Sequence, residues 1–317
     1  MRLFDAHCDT AYALWKRGEG LETNTGHVDL RRAAFLDAYT QIFAFCSYAG
    51  ALAEFGFADC ADALRLPLAV LRRELEQNAA RIVSVRSAAE ARACNAAGKM
   101  AALFSIEGAE VIGCDPERLA PLREQGFVLA TLTWNADNAL AGCRGSERGL
   151  SDRGRAFVRA AQSCGMVLDV SHLGDRSFWE LVDCARAPLM ASHSDCRALC
   201  GHPRNLTDDQ LRALAQTGGV VGLNFYPPFL GGAGGFDALR AHLEHLLALC
   251  GERHVCMGGD LDGCDVLARG ISDIRGYSAF YDELRAHGYD EALLDRLFYT
   301  NLMELLDAVE RGFIVAR

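Results

Sequence analysis

The chain has 317 residues, half of them apolar and 23% charged, with a formal net charge of −10. A chain this long and apolar can bury enough surface to offset the entropy of ordering, which excludes disorder. The acidic balance argues against a nucleic-acid backbone or an anionic membrane as the main partner.

From the N-terminus, Met1-Arg2-Leu3-Phe4-Asp5-Ala6-His7 shows no apolar signal-peptide core. Short β-rich runs then recur at residues 3–7, 41–48, 101–106, 127–133, 166–171, 188–192, 219–225 and 254–259. Most are almost continuously apolar, as in Met166-Val167-Leu168-Asp169-Val170, the pattern of parallel strands buried on both faces. The uncharged run between Asp37 and Glu54 contains Thr40, Gln41, Ser47 and Gly50 and is too short and mixed to cross a bilayer.

Helices are expected between these runs. Ser87 reads as the N-cap of a helix over residues 88–97 that Gly98 stops. Phe178, Leu181 and Val182 mark a second apolar face. Thr207 and Gln210 have capping-box spacing, with Leu211, Leu214 and Ala215 on one face before Gly218-Gly219. Leu239, Leu243, Leu246 and Leu247 mark another face. Eight strands alternating with helices predict an α/β fold, a single-domain (β/α)₈ barrel over residues 1–317, with a doubly wound open sheet as the alternative. The thirteen cysteines are scattered and show no C-x-x-C pair, so reduced thiols and a cytoplasmic location are expected.

The chemistry lies where these runs end. His7 and Asp9 close the first, Glu107 the third, His172 the fifth, His193 the sixth and Asp260 the eighth. In a parallel barrel all these ends share one face. Taken singly, each has a structural role available: a hydrogen-bonded histidine, a rim ion pair for Glu107, a turn cap for Asp260. Six together point to metal chemistry, and three imidazoles with two or three carboxylates suit zinc or another first-row divalent ion. His7 and Asp9 are spaced for strand alternation to aim both at one ion. Five ligands crowd one catalytic zinc, whereas two ions bridged by Glu107 use them all. Such ions would acidify a shared water to a bridging hydroxide and polarise a carbonyl, leaving Asp260 to move the proton to the leaving amine.

The same residues carry a family likeness. Phe4-Asp5-Ala6-His7-Cys8-Asp9-Thr10, Ser105-Ile106-Glu107-Gly108, the run from Gly165 through Asp169-Val170-Ser171-His172, Ala191-Ser192-His193-Ser194, His202-Pro203-Arg204-Asn205-Leu206-Thr207-Asp208 and Gly258-Gly259-Asp260-Leu261-Asp262-Gly263 appear in that order. In these the chain resembles the membrane (renal-type) dipeptidases and their bacterial relatives, within the amidohydrolase-like metal-dependent barrels. Asn301-Leu302 to Val309 is similar to that family's closing helix. The resemblance implies a dinuclear zinc site, with His7 and Asp9 on one ion, His172 and His193 on the other, Glu107 bridging, and Asp260 as acid/base. It implies that Arg204 binds the free carboxylate of a small dipeptide, including one with a C-terminal D-residue, and it suggests a homodimer. An ion pair to Asp208 or Asp209 is the structural alternative for Arg204.

The chain departs from the family at Leu132-Thr133-Trp134, where many relatives have a histidine that binds substrate and stabilises the transition state. An indole can stack and donate one hydrogen bond but cannot act as imidazole does. Asn135, Asp137 and Asn138 are candidates for the missing polar contact, Tyr226 for a pocket wall, and the glycine run at 231–235 for a lid. Cys196, Cys200 and His202 read as buried thiols beside a loop histidine rather than as a second metal site. Hydrolysis of another amide, a lactone or a β-lactam, and metal or peptide binding without turnover, are the rival functions.

Overall fold

The computed structural model describes residues 1–231 and 234–312. The expected glycine lid includes Gly232 and Ala233, which lie outside them. Nine strands form one parallel sheet: β1 Arg2–Cys8, β2 Ala38–Cys46, β3 Ile82–Ser84, β4 Met100–Glu107, β5 Phe127–Thr131, β6 Val167–Asp169, β7 Leu189–Ala191, β8 Val220–Leu223 and β9 Val255–Met257. Pairing runs β2-β1-β9-β8-β7-β6-β5-β4, and β2 joins β4 directly, closing an eight-stranded barrel. These eight are the strands expected from the sequence. β3 is an addition outside the closed ring: it pairs with Met100–Ala102 of β4, and β5 takes over the same edge from Phe104.

Neighbouring residues along a strand separate into two apolar layers. Leu3, Phe43 and Phe104 belong to a layer shared with the surrounding helices, whereas Phe4, Ile42 and Leu103 belong to a second cluster with Val128, Val167, Met190 and Val220. That second set fills the barrel interior. Leu302, Leu305, Leu306 and Val309 of the helix Asn301–Glu310 join it, so the expected closing helix packs against the interior residues. Asn301 fixes that helix by donating to the carbonyls of Glu252 and Val255 at the start of β9. The caps form as expected: Ser87 Oγ accepts from Glu90 N, and Thr207 and Gln210 complete a reciprocal capping box. No helix among the described residues is long and apolar enough to cross a membrane.

At Gly222 and Gly258, near the site, the interior leaves no room for a side chain. A Cβ on Gly222 or Gly258 would lie 2.0 or 1.8 Å from the carbonyl oxygen of Ser192, the residue before His193. That neighbour is backbone and cannot swing away, so β7, β8 and β9 are held at their closest approach where the site begins. Gly258→Ala is therefore expected to cost about 1–3 kcal/mol in chemical denaturation, more than the roughly 1 kcal/mol expected for Thr207→Ala at the helix cap.

Candidate metal centre

Each site residue sits at or just beyond a strand end. β1 stops at Cys8, and Asp9 begins the turn into the helix Thr10–Arg17. The Asp9 side chain makes no cap bond to that helix; its Oδ2 lies 3.3 Å from His7 Nε2. The two meet through this turn, after a register irregularity between Asp5 and Cys8, rather than through simple alternation. Glu107 is the last residue of β4, and His193 follows β7 by two residues. His172 and Asp260 follow β6 and β9 with left-handed backbone, φ +68° and +58°. Side chains other than glycine rarely adopt that conformation, and surrounding contacts must hold it. At His172 the carbonyl is tied to Arg144 N at 2.8 Å, and at Asp260 to Gly263 N at 3.2 Å.

The side chains converge. Glu107 Oε2 lies 3.6 Å from His7 Nε2, while Oε1 lies 2.8 Å from His172 Nε2 and 3.6 Å from His193 Nε2. Asp260 Oδ1 is 3.8 Å from His7 Nε2. His7 with Glu107 and His193, and His7 with Asp9 and Asp260, each bring ligand atoms close enough to share a cation.

Hydrogen bonds behind the histidines fix their tautomers. Asn135 Oδ1 accepts from Arg144 Nε at 3.0 Å, which identifies it as the oxygen, and His172 Nδ1 lies 3.0 Å from the same atom. His172 Nδ1 therefore carries the proton. Ser192 Oγ donates to Asp169 Oδ2 at 2.5 Å and so accepts from His193 Nδ1 at 2.7 Å. Both neutral rings thus turn a bare Nε2 inward, 3.1 Å apart and beside Glu107 Oε1. Two bare imidazole nitrogens and a carboxylate oxygen aimed at one point are the ligand atoms that a divalent cation takes. The donor set fits a metal.

Electrostatics agree. Burial holds the His172 and His193 imidazoles well below their usual range, with Arg204 and His7 pushing the same way. Burial also pulls His7 down, but the Glu107, Asp9 and Asp260 carboxylates outweigh it and lift His7 to about 10. Burial raises Glu107 and Asp9, and the neighbouring carboxylates add to this. Three carboxylates around His7 favour positive charge at this point, which a bound cation would supply.

A cavity of about 360 Å³ opens over these residues. Trp134 lines it in an aromatic wall, edge-on to Tyr48 and Phe55 at 5.5 and 6.0 Å. Tyr226 lines the other side, against Phe229. Arg204 is buried, its guanidinium 5.4 Å from the Phe229 ring. No carboxylate among the described residues lies within ion-pair distance of it. Asp208 instead meets His245 and Arg212, and Asp209 meets Arg212. Of Asn135, Asp137 and Asn138, only Asn135 hydrogen-bonds a site histidine. Asp137 holds Cys143 N and Ser146 Oγ, and Asn138 holds backbone groups of its own loop. Cys196 is buried against the His242 carbonyl, whereas His202 lines the cavity. Sequence reasoning missed Arg144 and Asn224. Asn224 Nδ2 donates to Asp260 Oδ2 at 3.2 Å, and its position at the end of the seventh predicted strand was the available signal.

Known proteins share this architecture. The family model described as "Membrane dipeptidase (Peptidase family M19)" matches residues 1–312. An uncharacterised protein from the pqqA 5′ region of Klebsiella pneumoniae is 34% identical over 79% of this chain and 97% of its own length. An uncharacterised dipeptidase of Schizosaccharomyces pombe is 31% identical over 67% of this chain, a match spanning 54% of that longer protein. A Rhodobacter sphaeroides metallopeptidase, solved with a phosphinate mimic of the dipeptide L-Ala-D-Ala, superposes with a TM-score of 0.86 at 32% identity, covering 97% of this chain and 99% of its own. A strand-end cluster fitted for metal, on a closed barrel matched along its length, makes this chain a metal-dependent dipeptidase-type hydrolase that belongs to the membrane dipeptidase family, peptidase family M19.

Proposed function

We propose that this protein is a dinuclear zinc dipeptidase whose substrates include dipeptides with a C-terminal D-residue. The observation that carries this reading is Glu107: its two oxygens address separate donors, His7 on one side and His172 with His193 on the other. His7 and Asp9 would hold one ion, His172 and His193 the second, with Glu107 shared, an imidazole and carboxylate set that zinc favours. When bound, the ions supply an acidified water for attack and positive charge for the scissile carbonyl oxygen.

The remaining work falls to the chain's own side chains. Asp260, held by Asn224 through Oδ2, removes a proton from the attacking water and delivers it to the amine nitrogen as the C–N bond breaks. Arg204 takes the substrate's C-terminal carboxylate through parallel N–H···O bonds, and its burial strengthens them. Trp134 and Tyr226 bound a cavity small enough to favour short substrates. The ligand of the Rhodobacter sphaeroides relative supports tolerance of a D-residue. The free state of all thirteen cysteines supports a cytoplasmic location, and family likeness supports a homodimer.

Purified protein is expected to carry two zinc ions per chain by elemental analysis, to lose dipeptide hydrolysis on chelation and to regain it with zinc; full loading without cleavage of any dipeptide would sink the peptidase assignment. Asp260→Asn is expected to retain metal while kcat falls by about 10²-fold or more, and near-normal turnover would remove Asp260 from the chemistry. Asp169→Asn places an amide donor against Ser192 Oγ, turning that hydroxyl toward His193 Nδ1 and moving the imidazole proton to the inward nitrogen. Zinc affinity, read against a competing chromophoric chelator, is then expected to fall roughly 10–100-fold.

A further inference from the structure

Arg204 is not the only arginine at the cavity. Arg144, from the loop between β5 and the helix Asp152–Ser163, lines the same space. Two bonds fix it beside His172: its backbone N donates to the His172 carbonyl at 2.8 Å, and its Nε donates to Asn135 Oδ1 at 3.0 Å. Among the described residues no hydrogen bond or ion pair engages Nη1 or Nη2. The Arg204 guanidinium likewise has no hydrogen-bond acceptor, only the Phe229 ring. Arg144 and Arg204 approach from loops on either side of the His172 strand end, and both depress the His202 imidazole that burial already pulls down. All three line the cavity, with His202 Nδ1 accepting from Arg204 N at 3.2 Å and the His202 ring 4.5 Å from the Phe229 ring that the Arg204 guanidinium faces.

Two guanidinium groups that line one small cavity with no carboxylate partner among the described residues, in a chain of net charge −10, oppose each other unless anions lie between them. One carboxylate satisfies Arg204. The Nη groups of Arg144 then present donors for a second. We propose that Arg144 is a specificity residue that binds a side-chain carboxylate, so that the preferred dipeptides end in aspartate or glutamate. This rests on the assignment of Arg204 to the α-carboxylate in the proposed dipeptidase. Its Nε anchor on Asn135 leaves the fork pre-oriented, and the same amide oxygen orients His172, so the anion site and the metal centre share a support.

The test compares acid and amide side chains that differ little in shape. Zinc-loaded wild-type and Arg144→Gln proteins are assayed on Ala-Asp and Ala-Asn, with the C-terminal residue in both L and D forms. The wild type is expected to favour the acid by about tenfold or more in kcat/KM, mainly through KM, with the ratio falling to about one in Arg144→Gln and partly recovering in Arg144→Lys. Equal losses on both substrates, or a ratio that the substitution leaves unchanged, would overturn the proposal. Calorimetric binding of Ala-D-Asp and Ala-D-Asn to Asp260→Asn protein, with and without Arg144→Gln, separates this from failure of the peptidase reading. A preference for the acid that depends on Arg144 upholds the anion site even where nothing is cleaved, and no preference rejects it.

Discussion

The carboxylate of Glu107 organises the centre. Buried at the end of β4, it meets imidazole nitrogens on both sides, and the protons that would make ordinary hydrogen bonds are held on the far side of two of those rings. Carboxylates and bare nitrogens gathered away from water are costly without positive charge among them. The barrel bears that cost because strand ends from distant parts of the chain are forced onto one face, and because the residues behind them are rigid. The tight contacts of Gly222 and Gly258 with the Ser192 carbonyl belong to the same requirement: they set the spacing of β7, β8 and β9 before any ligand atom is positioned.

A layer of hydrogen-bonding groups behind the site converts that spacing into chemistry. Asn135 orients His172, the Ser192–Asp169 pair orients His193, and Asn224 holds Asp260. Each occupies one face of a site group and leaves the other for substrate or metal. Such partners tune a ligand as well as hold it, because the tautomer follows from what the remote nitrogen meets. Trp134 fits this arrangement. Its ring packs into the aromatic wall with Tyr48 and Phe55, while the next residue, Asn135, makes the polar contact to His172.

Much of this was legible in the residues. Long apolar runs marked the eight barrel strands because burial on both faces leaves a direct composition signal, and polar residues at their ends marked the open face. β3 escaped because three residues with one exposed, Ile82-Val83-Ser84, carry too little pattern. The positions of Asp9, Arg144 and Asn224 depend on turns and loop contacts formed only in the folded chain. Asp9 reaches His7 through the turn after β1, and Arg144 reaches the cavity because backbone and side-chain bonds pin its loop to His172 and Asn135. Periodicity carries no information about such bonds. Arg204 stood out only through its motif; its separation from Asp208 and Asp209 required the fold.

The seam between β1 and β9 has a consequence for how the molecule is made. Its ladder is thin: Asp5 faces Met257, and Cys8 forms a bridge with Leu261. Side chains reinforce it, with Asp5 Oδ1 accepting from Gly259 N across 254 residues of chain and Asp262 accepting from Thr10 Oγ1 and His27 N. At about 5–20 residues per second, β1 leaves the ribosome on the order of ten seconds or more before its closing partner exists. Until then its outer edge is an unpaired template for other strands. Two of the six site residues, His7 and Asp9, are thus translated about 250 residues before Asp260 completes the set, so biosynthesis delivers an open, aggregation-exposed sheet first and a closed catalytic face last.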